Sequence, residues 1–343
     1  MSDKLPITDV SLTDMPRLAG EFGLKPYAAG QIISWLYKER VSSFDEMTNL
    51  PKVVRARLEE KYITNAVELD RVLEAKDSTK KYLCRAADDS LFECVFIPAE
   101  DGRGTVCIST QVGCAMDCVF CRTGEMGFTR NLTQGEILGQ LIVVMKDNAE
   151  PVTNIVLMGM GEPLMNLEAV SHSVEILLDS GAFNISKRRI TLSTCGLLPE
   201  LEEFTKRFDV KIAISLNATN DQARSKIMPI NKKYSIEKIM EFCRAYSKRS
   251  RHRVTFEYVL MRGINDSTED ANRLVALLKG VKAKVNLIPF NAFLSSEYQG
   301  PKEGTAEKWS DILREHNIQS NIRISRGQEI LAACGQLATS LKS

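Results

Sequence analysis

Histidine is scarce. His172, His252 and His316 are the only three in 343 residues, and none keeps ligand-like company. A histidine-built metal centre or a histidine-dependent triad therefore has little to draw on. An excess of either charge sign is missing too, with 45 Lys and Arg against 44 Asp and Glu. That balance excludes wholesale polyanion binding and leaves any nucleic-acid contact to local clusters. No apolar run approaches the roughly 20 residues of a membrane span. The polar start "MSDKLPITD" has no signal-peptide core. The expected location is the cytoplasm, with no membrane partner. No repeat, low-complexity tract or heptad is present, so a monomer is expected.

Cysteine, by contrast, is plentiful and uneven. Nine cysteines, an odd number at irregular spacing, do not read as a disulfide framework in a reducing compartment. Cys84, Cys94, Cys195 and Cys243 are scattered and read as small buried hydrophobes. Four others crowd into "CISTQVGCAMDCVFC", residues 107 to 121. The chain is 44% hydrophobic, ample for a barrel-sized core with a small satellite.

Texture divides the chain near residue 100. Before it, "SLTDMPRLAGEFG" has Thr13 as a candidate helix cap and Gly23 as a stop. "PYAAGQIISWLYKER" and "LPKVVRARLEEKY" read as two more helices. "KKYLCRA" and "SLFECVFIP" alternate like two strands around an "ADDS" turn. After residue 100, candidate strands at 105–109, 154–158, 189–193, 211–216, 254–260 and 284–289 take turns with helical patterns. The reading is an α/β fold: a partial (β/α)6 barrel over 101–343, a small helical domain over 1–65 and a connecting β-hairpin over 66–100. Ligands of such folds sit on the loops after the strands. The cysteine-rich loop and "GMGEP" follow the first two strands and share that rim.

Cys114, Cys118 and Cys121 form C-x3-C-x2-C, short enough for one loop to wrap one metal centre. Three thiolates on a 4Fe–4S cube leave one iron open. A four-cysteine zinc site that includes Cys107, or an unligated loop, also satisfies the count. Lys187 to Arg189 and "KRSRHR", Lys248 to Arg253, are the densest basic clusters, and Arg122, Arg130, Lys232 and Lys233 flank the expected rim. Such cations grip phosphates or merely face solvent.

The cysteine spacing after the first strand resembles the radical S-adenosylmethionine enzymes, and "GMGEP" resembles their loop at the cofactor's methionine end. In longer stretches the chain is similar to the RlmN/Cfr family of radical S-adenosylmethionine RNA adenine methyltransferases. The likeness runs in family order through "CISTQVGCAMDCVFC", "GFTRNLTQGEILGQ", "VLMGMGEPLMN", "ITLSTCG", "SLNATNDQARSKIMPINKKY", "NLIPFN" and "RGQEILAACGQL". It includes the amino-terminal "FDEMTNLP".

That resemblance implies a 4Fe–4S cluster on Cys114, Cys118 and Cys121, with S-adenosylmethionine at its open iron. It implies that Cys334 becomes S-methylcysteine, that Cys107 resolves the enzyme–RNA link by forming a disulfide, and that Glu93 accepts a proton. Cofactor contacts carry over to Gly161, Glu162, Ser193, Ser215, Leu216, Asn217 and Asn291; at Asn217 many members carry histidine. The implied reaction is methylation of adenine carbon 2 in the peptidyl-transferase region of 23S rRNA, and in several members of an adenosine beside the tRNA anticodon. A one-electron reductant such as flavodoxin or ferredoxin is implied as partner, and the amino-terminal domain as a second RNA handle. Cfr-type methylation at carbon 8 is the nearest rival, and a non-catalytic iron–sulfur protein that binds RNA is a rival of another class.

Overall fold

The computed structural model describes residues 4–293 and 295–338. Three helices open the chain: α1 (Met15–Glu21), α2 (Ala28–Ile33), which runs on through a wider π-type turn to Glu39, and α3 (Lys52–Lys61). Ser11, not Thr13, answers the free amides before α1: its Oγ accepts from the Asp14 N–H at 3.2 Å. Ser11 stands three residues upstream, the reach of a capping side chain, while the Thr13 hydroxyl only meets that of Ser11. Gly23, at φ +74°, ends the first segment as expected.

One sheet of ten strands carries the rest. In chain order these are β1 (Glu68–Glu74), β2 (Lys80–Arg85), β3 (Leu91–Pro98), β4 (Gly104–Cys107), β5 (Val152–Leu157), β6 (Ile190–Thr194), β7 (Lys211–Ser215), β8 (Val254–Leu260), β9 (Ala283–Pro289) and β10 (Gln319–Ile322). Each pairs with its neighbour in sequence, β1 to β4 antiparallel and β4 to β10 parallel. The sheet is mixed and does not close into a barrel. All six expected parallel strands are present, within two residues at either end.

Two edge strands were not expected. β1, "ELDRVLE", is exposed along most of its length, so its charged residues mask a strand. β10, "QSNI", is short and polar. With β1 added, the hairpin of 66–100 becomes a three-stranded meander. It is not a connector: β3 pairs with β4 from Val95↔Cys107 to Pro98↔Gly104 and continues the same sheet.

The helices between the parallel strands are α4 (Gln134–Asp147), α5 (Leu167–Leu178), α6 (Leu198–Arg207), α7 (Asp221–Ile227), α8 (Ile236–Arg249), α9 (Thr268–Leu277) and α10 (Thr305–Glu315). In α4, Thr133 and Glu136 close a reciprocal capping box at 3.1 and 2.9 Å. This helix also docks the amino-terminal segment. Gln134 Nε2 donates to the Thr8 carbonyl at 2.6 Å, and the Gly135 N–H donates to Asp9 at 2.7 Å. A Cβ at Gly139 would lie 2.6 Å from Val67 Cγ2, so glycine is what lets the chain after α3 cross α4 so closely.

Gly139→Leu is expected to overpack this crossing and cost about 1–3 kcal/mol. Urea unfolding checks it through a lower midpoint at unchanged slope.

Candidate active site

The carboxyl ends of the parallel strands open into two adjoining cavities with Cys121, Arg323 and Cys334 in their common wall. Cys107 ends β4, in register with Val95 and Val156, and its side chain faces the second cavity. Four residues beyond it, Gln111–Gly113 pairs with Phe128–Asn131 as a small ribbon that brackets the cysteine loop. Within the loop, Asp117 takes φ +52°, Cys121 N–H donates to the Cys118 carbonyl at 3.0 Å, and Val119 N–H donates to the Ile227 carbonyl at 3.1 Å. Cys114, Cys118 and Cys121 then line the first cavity together, each half-buried.

That arrangement suits a cluster better than a single ion. Among the described residues, no three Cys, His, Asp or Glu side chains converge as single-ion ligands. The three loop thiols instead share the wall of a cavity wide enough for a larger group. Cys107 lines only the neighbouring cavity, so the four-cysteine zinc set has no common centre. Opposite the thiols, "GMGEP" folds tightly. A Cβ at Gly159 would meet Ser109 at 2.6 Å, and Gly161, at φ +97°, would meet Gln111 at 2.5 Å. Glycine at both positions is what lets this turn pack directly against residues 108–111, which fixes its place on the cavity wall.

Six of the seven expected cofactor contacts line this cavity: Gly161, Glu162, Ser193, Ser215, Asn217 and Asn291. Leu216 does not. It points into the core, and its backbone is engaged by Glu257 and Arg224. Glu162 is buried, and burial pushes its carboxyl up, while the Cys195 N–H at 2.7 Å and the Leu164 N–H at 3.1 Å favour its charged form. Asn217 takes the left-handed conformation at φ +54° and accepts from the Val259 N–H at 2.8 Å. Asparagine tolerates that backbone well, a physical reason for it where histidine is common.

Cys334 lines both cavities. It lies on a carboxyl-terminal strap, residues 323–338, that has little regular structure and is pinned by polar contacts. Asn291 Nδ2 donates to the Cys334 carbonyl at 3.1 Å, and the Arg122 N–H donates to the Gly335 carbonyl at 2.8 Å. Thr123 donates to the Leu337 carbonyl at 2.6 Å, and Gln336 to the Ala292 carbonyl at 2.9 Å. The meander holds the other side through Lys76 N–H to Glu329 and Gly327 N–H to Asp77. Burial pushes the Cys107 thiol up to about 12, with Cys334 adding to the shift. The Cys334 thiol is raised by the atoms packed around it, although one side opens to solvent. Arg323 pulls both thiols back down.

Glu93 lines neither cavity. Its carboxylate is buried on β3, 3.1 Å from Lys81 Nζ, and accepts from the Ala338 N–H at 3.0 Å. Burial raises its pKa and Lys81 opposes that rise.

Residues the sequence reading passed over also face the cavities. Glu257 lines the first, and Asn286 donates to it at 2.8 Å from the next strand. Asn321 continues the rung to Asn286 at 3.3 Å. A glutamate amid the apolar "VTFEYVL" was the available signal. Arg323 lines both cavities and Arg326 the second. The two dense basic clusters lie elsewhere. Lys187–Arg189 runs directly into the start of β6, and Lys248–Arg253 into the start of β8, so both sit at the amino ends of strands whose carboxyl ends form the site. Lys187 and His252 are engaged with Asp209, and Arg130 with Asp88 and Glu136.

Comparison with known proteins agrees with this geometry. Residues 108–275 match the Radical SAM superfamily, and residues 6–63 match a ribosomal RNA large subunit methyltransferase N-terminal domain. A dual-specificity RNA methyltransferase RlmN from Syntrophotalea carbinolica is 44% identical over 97% of this chain and 90% of its own. Another, from Desulfosudis oleivorans, is 46% identical over 93% and 86%. The chain belongs to the RlmN family. A solved radical SAM methyltransferase from Sphaerobacter thermophilus superposes with a TM-score of 0.93, at 40% identity over 97% of this chain and 99% of that one. The protein is thus a radical S-adenosylmethionine RNA methyltransferase, and its cofactors are a 4Fe–4S cluster and S-adenosylmethionine. No helix among the described residues is long and apolar enough to cross a membrane.

Lys81→Met leaves the Glu93 carboxylate buried without its counter-ion. It is expected to cost about 3–5 kcal/mol in chemical denaturation. Lys81→Met/Glu93→Leu should recover part of that loss; a double variant less stable than Lys81→Met would mean the pair is not the source.

Proposed function

We propose that this chain methylates carbon 2 of an adenosine in the peptidyl-transferase region of 23S rRNA, and also an adenosine beside the tRNA anticodon. The observation that supports it is the placing of two cysteines. Cys334 borders both cavities, while Cys107, from the other end of the core domain in sequence, faces only the second. One thiol can thus meet both cofactor and substrate, and the other can meet only what enters beside it. Relatives named dual-specificity RNA methyltransferases support the choice of RNA.

Adenine carbon 2 is electron-poor and does not attack a methyl sulfonium, whereas a thiolate does. In this reading Cys334 accepts a methyl group by displacement and carries it as S-methylcysteine. The loop thiols Cys114, Cys118 and Cys121 hold the cluster, and Gly161, Glu162, Ser193, Ser215, Asn217 and Asn291 hold the cofactor, with the Leu216 backbone behind them. When bound, cluster and S-adenosylmethionine supply the 5′-deoxyadenosyl radical that takes hydrogen from the methyl on Cys334. The resulting carbon radical adds to the base, so that the methyl carbon joins Cys334 to it, and the unpaired electron of the adduct would pass back to the bound cluster. Glu93 accepts the proton lost from the ring, for which the strap must release its carboxylate from Ala338. Cys107 attacks the sulfur of Cys334, a sulfur–sulfur bond forms as the carbon–sulfur bond breaks, the electron pair left on the methylene takes a proton to complete the methyl group, and methylated RNA departs. Thiol exchange restores both cysteines.

The target base has to be unstacked into the second cavity, at a cost of a few kcal/mol. Arg323 and Arg326 at its wall are the cations best placed for the adjoining phosphates. The domain over 1–65 is the second RNA handle, 66–100 extends the sheet that carries Glu93, and 101–343 is the catalytic core. A flavodoxin or ferredoxin supplies the electron, and the protein works as a cytoplasmic monomer.

Anaerobic turnover with S-adenosylmethionine bearing a trideuterated methyl tests the relay. The expected product is adenosine methylated at carbon 2 that has lost one of its three deuterons, read by mass spectrometry of digested 23S rRNA fragments and of tRNA. The same isotope pattern at carbon 8 would move the protein to Cfr-type chemistry, and retention of all three would end the Cys334 relay. Cys107→Ala should accumulate protein covalently bound to RNA, seen as a slow band on a denaturing gel. Cys334→Ala should show neither band nor product.

A further inference from the structure

Arg224, on α7, is fully buried. Its guanidinium makes five hydrogen bonds, all to neutral oxygens. They go to the carbonyls of Cys195 at 2.8 Å, Leu216 at 2.9 Å, Ser215 at 3.0 Å and Tyr234 at 3.3 Å, and to Asn231 Oδ1 at 3.0 Å. No carboxylate forms an ion pair with it among the described residues. Asp221, three residues back on the same helix, acts on it only at longer range. Glu162 lies beyond the Cys195 peptide, whose N–H it accepts while Arg224 holds the carbonyl.

An arginine stays protonated even when buried, and an uncompensated buried charge costs several kcal/mol. Hydrogen bonds to carbonyls satisfy the donors but not the charge. What compensates it lies on the far side of the loops it ties. α7 abuts the cysteine loop through the Ile227 carbonyl, which accepts from Val119 N–H, between Cys118 and Cys121. Arg224 also donates to the carbonyls of Cys195 and Ser215, and both residues line the first cavity together with the three loop thiols. Three thiolates around a 4Fe–4S cube make a net anion, more negative once reduced.

We propose that Arg224 is the buried counter-charge of the iron–sulfur site, a positioning residue whose fixed cation favours the reduced cluster and raises the potential at which it takes its electron. The proposal rests on cluster ligation by Cys114, Cys118 and Cys121. The sign follows from Coulomb attraction: a cation nearby stabilises the state with more negative charge. Arg224 also braces the loop after β6 at Cys195 and the end of β7 at Ser215 and Leu216. The test therefore has to separate charge from bracing.

Three variants of the full chain do so: Arg224→Gln removes the charge, Arg224→Lys keeps it without the fork, and Asn231→Asp leaves the arginine in place but sets a carboxylate beside it. Each is reconstituted anaerobically, its iron and sulfide per chain are counted, and the cluster is titrated with dithionite and followed by electron paramagnetic resonance, without S-adenosylmethionine or RNA. Arg224→Gln and Asn231→Asp are each expected to make reduction at least tenfold less favourable, about 59 mV for one electron. Arg224→Lys should stay nearer the wild type. Unchanged potentials in loaded Arg224→Gln and Asn231→Asp would overturn the proposal, as would equal shifts in the Lys and Gln variants with none in Asn231→Asp. Should the Arg224 variants fail to fold, Asn231→Asp decides alone. A wild-type chain that takes up no four-iron cluster would overturn the ligand reading beneath it.

Discussion

The site depends on how a strap without regular structure is held across the mouth of an open sheet. Residues 323–338 have no continuous helix or strand to satisfy their backbone, so beyond a few turns of their own the polar groups need partners from elsewhere. Those partners come from the β1–β2 turn, Lys81 on β2, Glu93 on β3, the residues just after the cysteine loop, β9 and the loop after it. Cys334 is therefore placed by the whole width of the sheet. The meander before β4, which could be taken for a linker, contributes Val95 and Ile97 to the wall of the second cavity.

Charge is buried sparingly at this rim, and each instance has a distinct solution. Lys81 and Glu93 neutralise one another beneath the strap. Glu162 is answered by two backbone N–H groups, and Glu257 by an amide from the neighbouring strand. Arg224 is the one buried cation among these whose hydrogen bonds all go to neutral acceptors, and we read it as the counter-charge of the cysteine-loop site. A low-dielectric pocket makes each of these arrangements matter more than it would in water.

Much of this was legible in the chain. The six parallel strands were readable because apolar runs bounded by turns alternate with helical spacing. The shared locality of Cys114, Cys118 and Cys121 was readable because short cysteine spacing keeps three thiols together. The edge strands β1 and β10 were not, since edges carry the polar residues that interior strands exclude. The basic clusters left their role open for a related reason. Density of Lys and Arg along the chain says nothing about which end of a strand they flank, and Lys187–Arg189 and Lys248–Arg253 flank the ends away from the site. Arg323, a single arginine with no cluster around it, borders both cavities instead.

By itself the sequence determined the fold class and the family to which the chain belongs, because those rest on local spacing and on long motifs in order. Tertiary structure alone decided which cavity each cysteine faces, that Glu93 is held by Lys81 and Ala338 beneath the strap, and that Arg224 is buried behind the cysteine loop. These are contacts between residues tens to hundreds of positions apart. No local pattern encodes them, because they exist only once the sheet has brought its strand ends to one rim.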